Sequence, residues 1–216
     1  MRDVLISVPT RGQIQWQTVT ALEAARDYMG PGTPPILYQE GNLSVALTRN
    51  RIVKRFLETD CTVLAMVDDD IAPPVNFVEL LLPFLLDFAM IAIPHAAPHP
   101  LAPETLYLTA YDEELSSGDL KPAGLWQGIN EVDAVATGCV LVGRHVFEAG
   151  ALGSAPFEIA ADPRDRLQSD DLLFCRKLKL NGYRVGCYWD GRPVDHFRSV
   201  SLAPLAAATL GLEVPR

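Results

Sequence analysis

Apolar residues fall in short blocks along the chain, and the stretches between the blocks carry apolar positions at helical spacing. Val4-Leu5-Ile6-Ser7-Val8 is a block of strand length that Pro9 ends. Gln13 to Met29 follows, with apolar residues at Val19, Leu22, Ala25 and Met29, and predicts a helix closed by Gly30 and Pro31. After a turn-rich connection, Pro35-Ile36-Leu37-Tyr38 predicts a short strand. Ser44 to Glu58 predicts a second helix: Val45/Ala46, Ile52/Val53 and Phe56/Leu57 share one face, while Arg49, Asn50, Arg51, Lys54 and Arg55 occupy much of the rest. Cys61-Thr62-Val63-Leu64-Ala65-Met66-Val67 predicts a buried strand, stopped soon afterwards by Pro73 and Pro74. A helix from about Val75, kinked or ended near Pro83, and a strand over Met90 to Ile93 continue the series. This β-α-β-α-β order predicts an α/β fold with a parallel sheet.

The rhythm then changes. Residues 94–130 are rich in Pro, Gly and Ser and hold one strand candidate, Thr105 to Ala110, which predicts a loop-rich insert of the kind that shapes a substrate site. Glu131 to Val142 returns to strand character, interrupted by Thr137-Gly138. Arg144 to Ala149 predicts a short helix ended by Gly150, and Ala155 to Gln168 a charged loop. Ser169 to Asn181 predicts a helix with Gly182 just past its end, and Tyr183 to Tyr188 a last strand. The Ala/Leu-rich tail from Ser199 reads as a small helix.

Composition narrows the function classes. The 216 residues suffice for one substantial core, and 49% hydrophobic with 21% charged is an ordinary globular balance. A net charge of -9 argues against a general nucleic-acid or anionic-membrane surface, while leaving room for a local basic pocket for phosphate. Cys61, Cys139, Cys175 and Cys187 are far apart and form no C-x-x-C pair, so buried, reduced thiols of a cytoplasmic protein are expected. The most apolar stretch, Phe77 to Ile93, contains Glu79, Pro83 and Asp87, which predicts a core helix and strand rather than a membrane span. Met1-Arg2-Asp3 leads straight into the first strand, so no signal peptide is expected. The oligomeric state stays open, a homo-oligomer included.

Candidate chemistry is concentrated in Asp68-Asp69-Asp70, at the carboxyl end of the third apolar block. Three carboxylates there repel one another, and ligands of open α/β sheets bind off the carboxyl ends of strands. A divalent cation carrying phosphate is the simplest partner. Alternate residues at a strand end point the same way, so Asp68 and Asp70 are expected to reach one ligand. The competing reading is an acidic turn in solvent. Ser169-Asp170-Asp171 opens a helix; capping and the helix dipole account for these residues, and a general base at the mouth of a site accounts for them equally. His196 would become a metal ligand only by folding back beside Asp70. His95 and His99, among prolines, read as surface residues. Arg11, Arg49 and Asn50 lie where they could meet a diphosphate or a base, or serve as ordinary surface charge and polarity.

In order and spacing, these residues resemble the GT-A glycosyltransferases, particularly the large inverting family 2. Val4 to Arg11 is similar to the family's first strand and nucleotide loop, Leu47-Thr48-Arg49-Asn50 to its A-R-N helix, and Val63 to Pro74 to its D-D-D strand and metal motif. Thr137 through Gly150 and Asp170-Asp171 through Val185 resemble its T-G strand and its E-D helix, and His196 falls where the family often carries a late metal-binding histidine. Gln39-Glu40-Gly41-Asn42 replaces the usual acidic loop, Asp170 stands where the family has Glu, and the Q-x-x-R-W element of processive synthases is missing.

The resemblance implies one GT-A (Rossmann-like) domain over 1–216, with a mixed, mostly parallel sheet flanked by helices. Residues 1–94 would be the nucleotide-binding half, 95–198 the acceptor and catalytic half, and 199–216 a tail. It implies a UDP- or GDP-linked sugar donor and a glycan, protein or small-molecule acceptor. Mn²⁺ or Mg²⁺ would sit on Asp70 with His196 and Asp68. Pro9, Thr10, Arg11, Glu40, Arg49, Asn50, Asp68, Asp69 and Gly138 would serve the nucleotide side. Asp171, paired with Asp170, would deprotonate the acceptor hydroxyl, and Trp126 would offer an aromatic face to a sugar ring. Three rivals remain: a retaining GT-A enzyme, a phosphatase of the haloacid dehalogenase type with a nucleophilic aspartate, and a nucleotide-sugar-binding protein without turnover.

Overall fold

The period of two along each strand sorts the apolar side chains into two layers. The computed structural model describes residues 3–41, 44–99, 102–113, 119–150, 152–161 and 167–197, so the tail expected to form a helix from Ser199 lies outside the described residues. The first half runs β1 (Val4–Thr10), α1 (Trp16–Met29), β2 (Leu37–Glu40), α2 (Val45–Leu57), β3 (Val63–Val67), the two-residue β4 (Ile71–Ala72), α3 (Phe77–Leu81) and β5 (Met90–Ala92). α3 passes at Leu82–Leu86 into a 3-10 turn that contains Pro83, the stop read from the sequence. Ser44 caps α2: its side chain accepts a hydrogen bond from the Leu47 N–H at 3.1 Å.

The second half holds more strand than the sequence suggests. β6 (Ala96–His99) pairs with β7 (Ala102–Leu108), and β8 (Ala110–Glu113) pairs with β9 (Leu120–Pro122). β10 (Gly128–Val132), β11 (Ala134–Val135), β12 (Cys139–Gly143), α4 (His145–Glu148), β13 (Ala160–Ala161), β14 (Leu167–Gln168), α5 (Asp170–Leu180), β15 (Val185–Trp189) and β16 (Asp195–His196) complete the chain. The 94–130 insert is therefore built of antiparallel ribbons and not of open loop. Their strands are short, interrupted by Pro, and lie outside the main sheet, so they lack the continuous apolar run that marks a central strand.

The main sheet has seven strands in the order β10-β15-β5-β12-β3-β1-β2. β2, β1, β3, β5 and β15 run one way; β12 and β10 run the other, which makes the sheet mixed but mostly parallel. This agrees with the mixed, mostly parallel sheet expected from the sequence; which strands are reversed could not be told from their apolar content. Val63, Ala65 and Val67 join Leu22, Ala25, Phe77 and Leu81 on the α1/α3 face. Leu64 and Met66 join Ile52, Phe56, Phe174 and Leu178 on the α2/α5 face. The result is a Rossmann-like α/β single domain with helices on both faces of the sheet.

Connections are held by specific groups. The Arg144 guanidinium donates to the carbonyls of Leu57 (2.9 Å), Thr59 (2.7 Å) and Cys61 (3.0 Å), filling acceptors left open after α2. All four cysteines are buried. Burial pushes the Cys187 thiol up to about 12, and burial chiefly does the same to Cys175, so neither is a thiolate at neutral pH. Among the described residues, no helix is long and apolar enough to cross a membrane.

Gly41, just past β2, is fixed by close approach. A Cβ there would lie 1.7 Å from Thr48 Oγ1 and 2.9 Å from Thr48 Cβ. Gly41→Ala is expected to cost about 1–3 kcal/mol, the usual range for forced overpacking. A lowered urea midpoint with an unchanged slope checks this.

Candidate functional site

Strand direction decides which residues meet. The carboxyl ends of β1, β2, β3, β5 and β15 share one edge of the sheet, and β12 starts there because it runs antiparallel, with Cys139 opposite Val67. The Pro9-Thr10-Arg11 loop, the aspartate triplet, His95, Gly138 and the segment after β15 therefore gather at one edge from distant parts of the chain. A cleft of about 280 Å³ opens there, lined by Pro9, Thr10 and Arg11, by Gly41, Val45 and Thr48, and by all three aspartates.

The triplet does not act as one group. Asp68 continues the phase of Leu64 and Met66 and so enters the α2/α5 layer, where Arg49 meets it at 2.8 Å. The other end of the same guanidinium holds Asp170 of α5 at 2.7 Å. Arg49 is 4% exposed and Asp170 3%, a buried carboxylate–guanidinium–carboxylate bridge across three elements. Burial works against the Arg49 charge, but Asp68, Asp170 and Asp171 outweigh it and its pKa is raised. Burial raises Asp68, aided by Asp70 and Asp171 and opposed by Arg49. Arg49 Nε is buried and makes no hydrogen bond among the described residues.

Asp69 turns the other way. Its carbonyl accepts the Gln15 N–H at 2.9 Å, and its Oδ2 lies 3.4 Å from the Arg11 N–H, which ties the triplet to the loop after β1. Glu40 is opposite Thr10 in register, and its carboxylate lies beside Gly12. Thr10 Oγ1 accepts the Gly12 N–H at 3.0 Å.

Asp70 meets the far end of the chain. β16 pairs antiparallel with β4, placing His196 opposite Ile71, and the Phe197 N–H donates to the Asp70 carbonyl at 2.7 Å. His196 Nε2 lies 3.2 Å from Asp70 Oδ2, and Nδ1 lies 3.2 Å from the Ala96 carbonyl. Both partners only accept, so a neutral ring donates to one of them and a protonated ring to both. With the proton on Nδ1 alone, Nε2 turns its lone pair toward Asp70 Oδ2, the form in which a metal cation would stand between them. Burial raises Asp70, but the His196 hydrogen bond and the charges of His196 and His95 outweigh it and hold the carboxyl below its ordinary value. Among the described residues, no group of three or more His, Cys, Asp or Glu is arranged to hold a metal alone. Two ligands at the rim of a cleft suit Mg²⁺ or Mn²⁺, which complete their shells with water and phosphate. A ring nitrogen directed at the site while the other donates to a carbonyl is the arrangement common in metal-ligating histidines.

The acidic pair on α5 is separated by role. Asp170 is consumed by Arg49, whereas Asp171 is half-buried. Ser169 occupies the N-cap without a side-chain capping bond; its hydroxyl donates instead to Asp171 Oδ1, which also accepts the Leu172 N–H at 2.9 Å. Asp171 Oδ2 makes no hydrogen bond among the described residues. Asp171 also acts electrostatically on both Asp68 and Arg49, which places its charge in the same cluster.

Two expected residues are not brought to the cleft. Asn50 binds the Phe157 backbone in both directions, at 2.8 and 3.0 Å. Trp126 is 73% exposed on the loop before β10, with its N–H on Asn130. Gly138 is at the centre: a Cβ there would come 3.1 Å from His95 Nδ1 and 3.4 Å from Asp68 Oδ2. His95 is the residue that sequence reading missed. It is 9% exposed beside His196, not on the surface, and its position immediately after a buried strand was the available signal. The backbone of His99 ends β6, away from this grouping in the register.

No protein-family model matches the sequence, and no curated protein does. Solved structures do. A197 from STIV is similar at a TM-score of 0.59 and 17% identity, over 91% of this chain and 86% of that one. CMP:2-keto-3-deoxy-manno-octonic acid synthetase complexed with CTP gives 0.49 at 12% identity, over 96% of each chain. 4-Diphosphocytidyl-2C-methyl-D-erythritol synthase gives 0.48 at 14% identity, over 96% of this chain and 99% of that one. At these identities the likeness to A197 is one of fold. The fold and the cleft together define a Rossmann-like α/β protein with an acidic site at the carboxyl edge of its sheet.

Removing the Arg49 charge leaves the buried Asp170 carboxylate without its cation and strips the partner from half-buried Asp68 beside the cleft. Arg49→Met is expected to cost about 3–5 kcal/mol of stability, the range for a broken buried pair. Arg49→Lys, unable to span both partners, should fall between it and wild type. Urea denaturation measures both, and an unmoved midpoint for Arg49→Met contradicts the bridge.

Proposed function

We propose that this protein is a metal-dependent glycosyltransferase of GT-A type that moves a sugar from a UDP- or GDP-linked donor to an acceptor hydroxyl with inversion. The observation that carries this reading is the meeting of Asp70 with His196 at the rim of the Pro9–Asp70 cleft, 126 residues apart in sequence and 3.2 Å apart in space. That pairing supports a cation-binding end to the cleft, and the ordered motifs of the sequence support the remaining roles.

Asp70 and His196 would hold Mg²⁺ or Mn²⁺, which when bound neutralises charge on a departing diphosphate. Pro9, Thr10, Arg11 and Glu40 line or flank the nucleotide end. Asp69 fixes the Arg11 loop against the triplet. Asp68 stays on Arg49 and presents its second oxygen toward Gly138. Asp171 would accept the proton from the acceptor hydroxyl as it attacks the anomeric carbon, with Ser169 and the Leu172 N–H holding its carboxylate. Asp170 anchors that helix start through Arg49 instead of sharing in proton transfer. The ion pair on Asp68 also disfavours the phosphatase reading, since a nucleophilic carboxylate would be blunted by a guanidinium at 2.8 Å.

Isothermal titration of UDP- and GDP-sugars with and without Mn²⁺ tests the reading. Metal-dependent binding is expected in wild type, with Asp70→Ala losing it. Asp171→Asn should retain donor binding and lose transfer by about 10²–10⁴-fold, the usual share of a general base. Absence of any metal-dependent nucleotide binding overturns the proposal, and product anomeric configuration by NMR decides inversion.

A further inference from the structure

We infer that His95 is a positioning residue for His196, setting where its Nε2 stands against Asp70; the functional consequence rests on the glycosyltransferase reading. His196 lies on a strand of only two residues, β16, which by itself gives a side chain little rigidity. Besides Asp70 at Nε2, its ring meets the Ala96 carbonyl at Nδ1 and the His95 ring, edge-on at 4.6 Å between centroids and 72° between planes.

His95 is in turn tightly held. Its N–H donates to Thr109 Oγ1 at 3.2 Å, and its carbonyl accepts the Thr109 N–H at 3.1 Å. Thr109 Oγ1 also lies 3.4 Å from His95 Nδ1, and Thr109 is itself buried. Gly138 closes the other side: a Cβ there would press the ring at 3.1–3.2 Å. The returning segment is joined to the same point, since Val194 forms a parallel bridge with His95 and donates its N–H to the Pro94 carbonyl at 3.0 Å. His95 thus joins the exit of β5, the β7–β8 junction, the Thr137-Gly138 loop and the last strand. The same Thr109 hydroxyl donates to the His95 carbonyl at 3.1 Å, so it ties down the His95 backbone and stands beside its ring nitrogen at once. A plain packing role needs only an apolar side chain, whereas a polar ring beside a buried hydroxyl has an orientation to keep.

The test uses His95→Ala, His95→Phe and Thr109→Val in the full chain, with folding checked by circular dichroism. Mn²⁺ binding in the presence of UDP or GDP is read by electron paramagnetic resonance, and exchange of the Phe197 N–H is read by NMR without metal. His95→Ala is expected to weaken Mn²⁺ about 10–100-fold, the range seen when the support of a metal ligand is removed, and to speed Phe197 exchange. His95→Phe, which keeps a ring but loses the Thr109 hydroxyl at Nδ1, should recover only part of both, whereas full recovery would reduce His95 to plain packing and overturn the inference. Thr109→Val should show a smaller loss in the same direction, and it carries the test if His95→Ala does not fold. Wild-type Mn²⁺ affinity and Phe197 exchange in His95→Ala, or in Thr109→Val should His95→Ala not fold, overturn the inference while leaving the proposed function standing. If wild type binds no Mn²⁺-nucleotide, the function fails, and Phe197 exchange alone decides the positioning role.

Discussion

The Arg49 bridge is the constraint on which the rest depends. One guanidinium, withdrawn from water, joins the end of β3 to the start of α5 through α2. A buried cation is costly unless its partners are close and well aligned. Here two carboxylates at 2.7 and 2.8 Å meet that condition, and in doing so they fix the relative position of the aspartate turn and the Asp171 helix. The bridge also removes Asp68 and Asp170 from the list of acids able to act freely. What remains is Asp70 at one side and Asp171 at the other, with the cleft lined by the loop after β1.

Repulsion within the triplet is relieved by dispersal. Asp68 faces Arg49, Asp69 faces the Arg11 backbone, and Asp70 faces His196. Each neighbour comes from a different part of the chain, so the acidic turn is stable only in the assembled fold. Asp70 has the least permanent compensation, because a histidine is a cation only when protonated. That makes the Asp70–His196 gap the natural place for an added positive charge.

Much of the fold was legible in sequence. The β-α-β-α-β order through Met90 followed from apolar blocks and helical spacing, and Ser44, Pro83 and Gly182 marked real boundaries. The mixed, mostly parallel sheet was expected from the resemblance, but which strand is reversed was not legible: β12 has the same apolar character as its parallel neighbours. The ribbons of 96–122 escaped because pairing between short strands leaves little trace in either strand alone. Within the candidate site, the aspartate triplet, Asp171 and His196 were singled out by residue type and order, and the fold brings His196 to Asp70. Arg49 was counted on the polar side of α2, since nothing local tells a buried arginine from a solvated one until Asp68 and Asp170 are placed around it. Asn50 and His95 were misjudged for the same reason, as their partners, Phe157 and His196, are about a hundred residues away.

The central claim is that Asp70 and His196, brought together from distant parts of the chain, form one cation-binding point beside a nucleotide cleft. A crystal structure with Mn²⁺ and UDP or GDP, phased to show the manganese anomalous signal, measures this most directly. The expected result is one peak bonded to an Asp70 oxygen and to His196 Nε2, at roughly 2.1–2.3 Å, with diphosphate oxygens completing its shell. Manganese found elsewhere, or a nucleotide seated away from the Pro9–Arg11 loop, would contradict it.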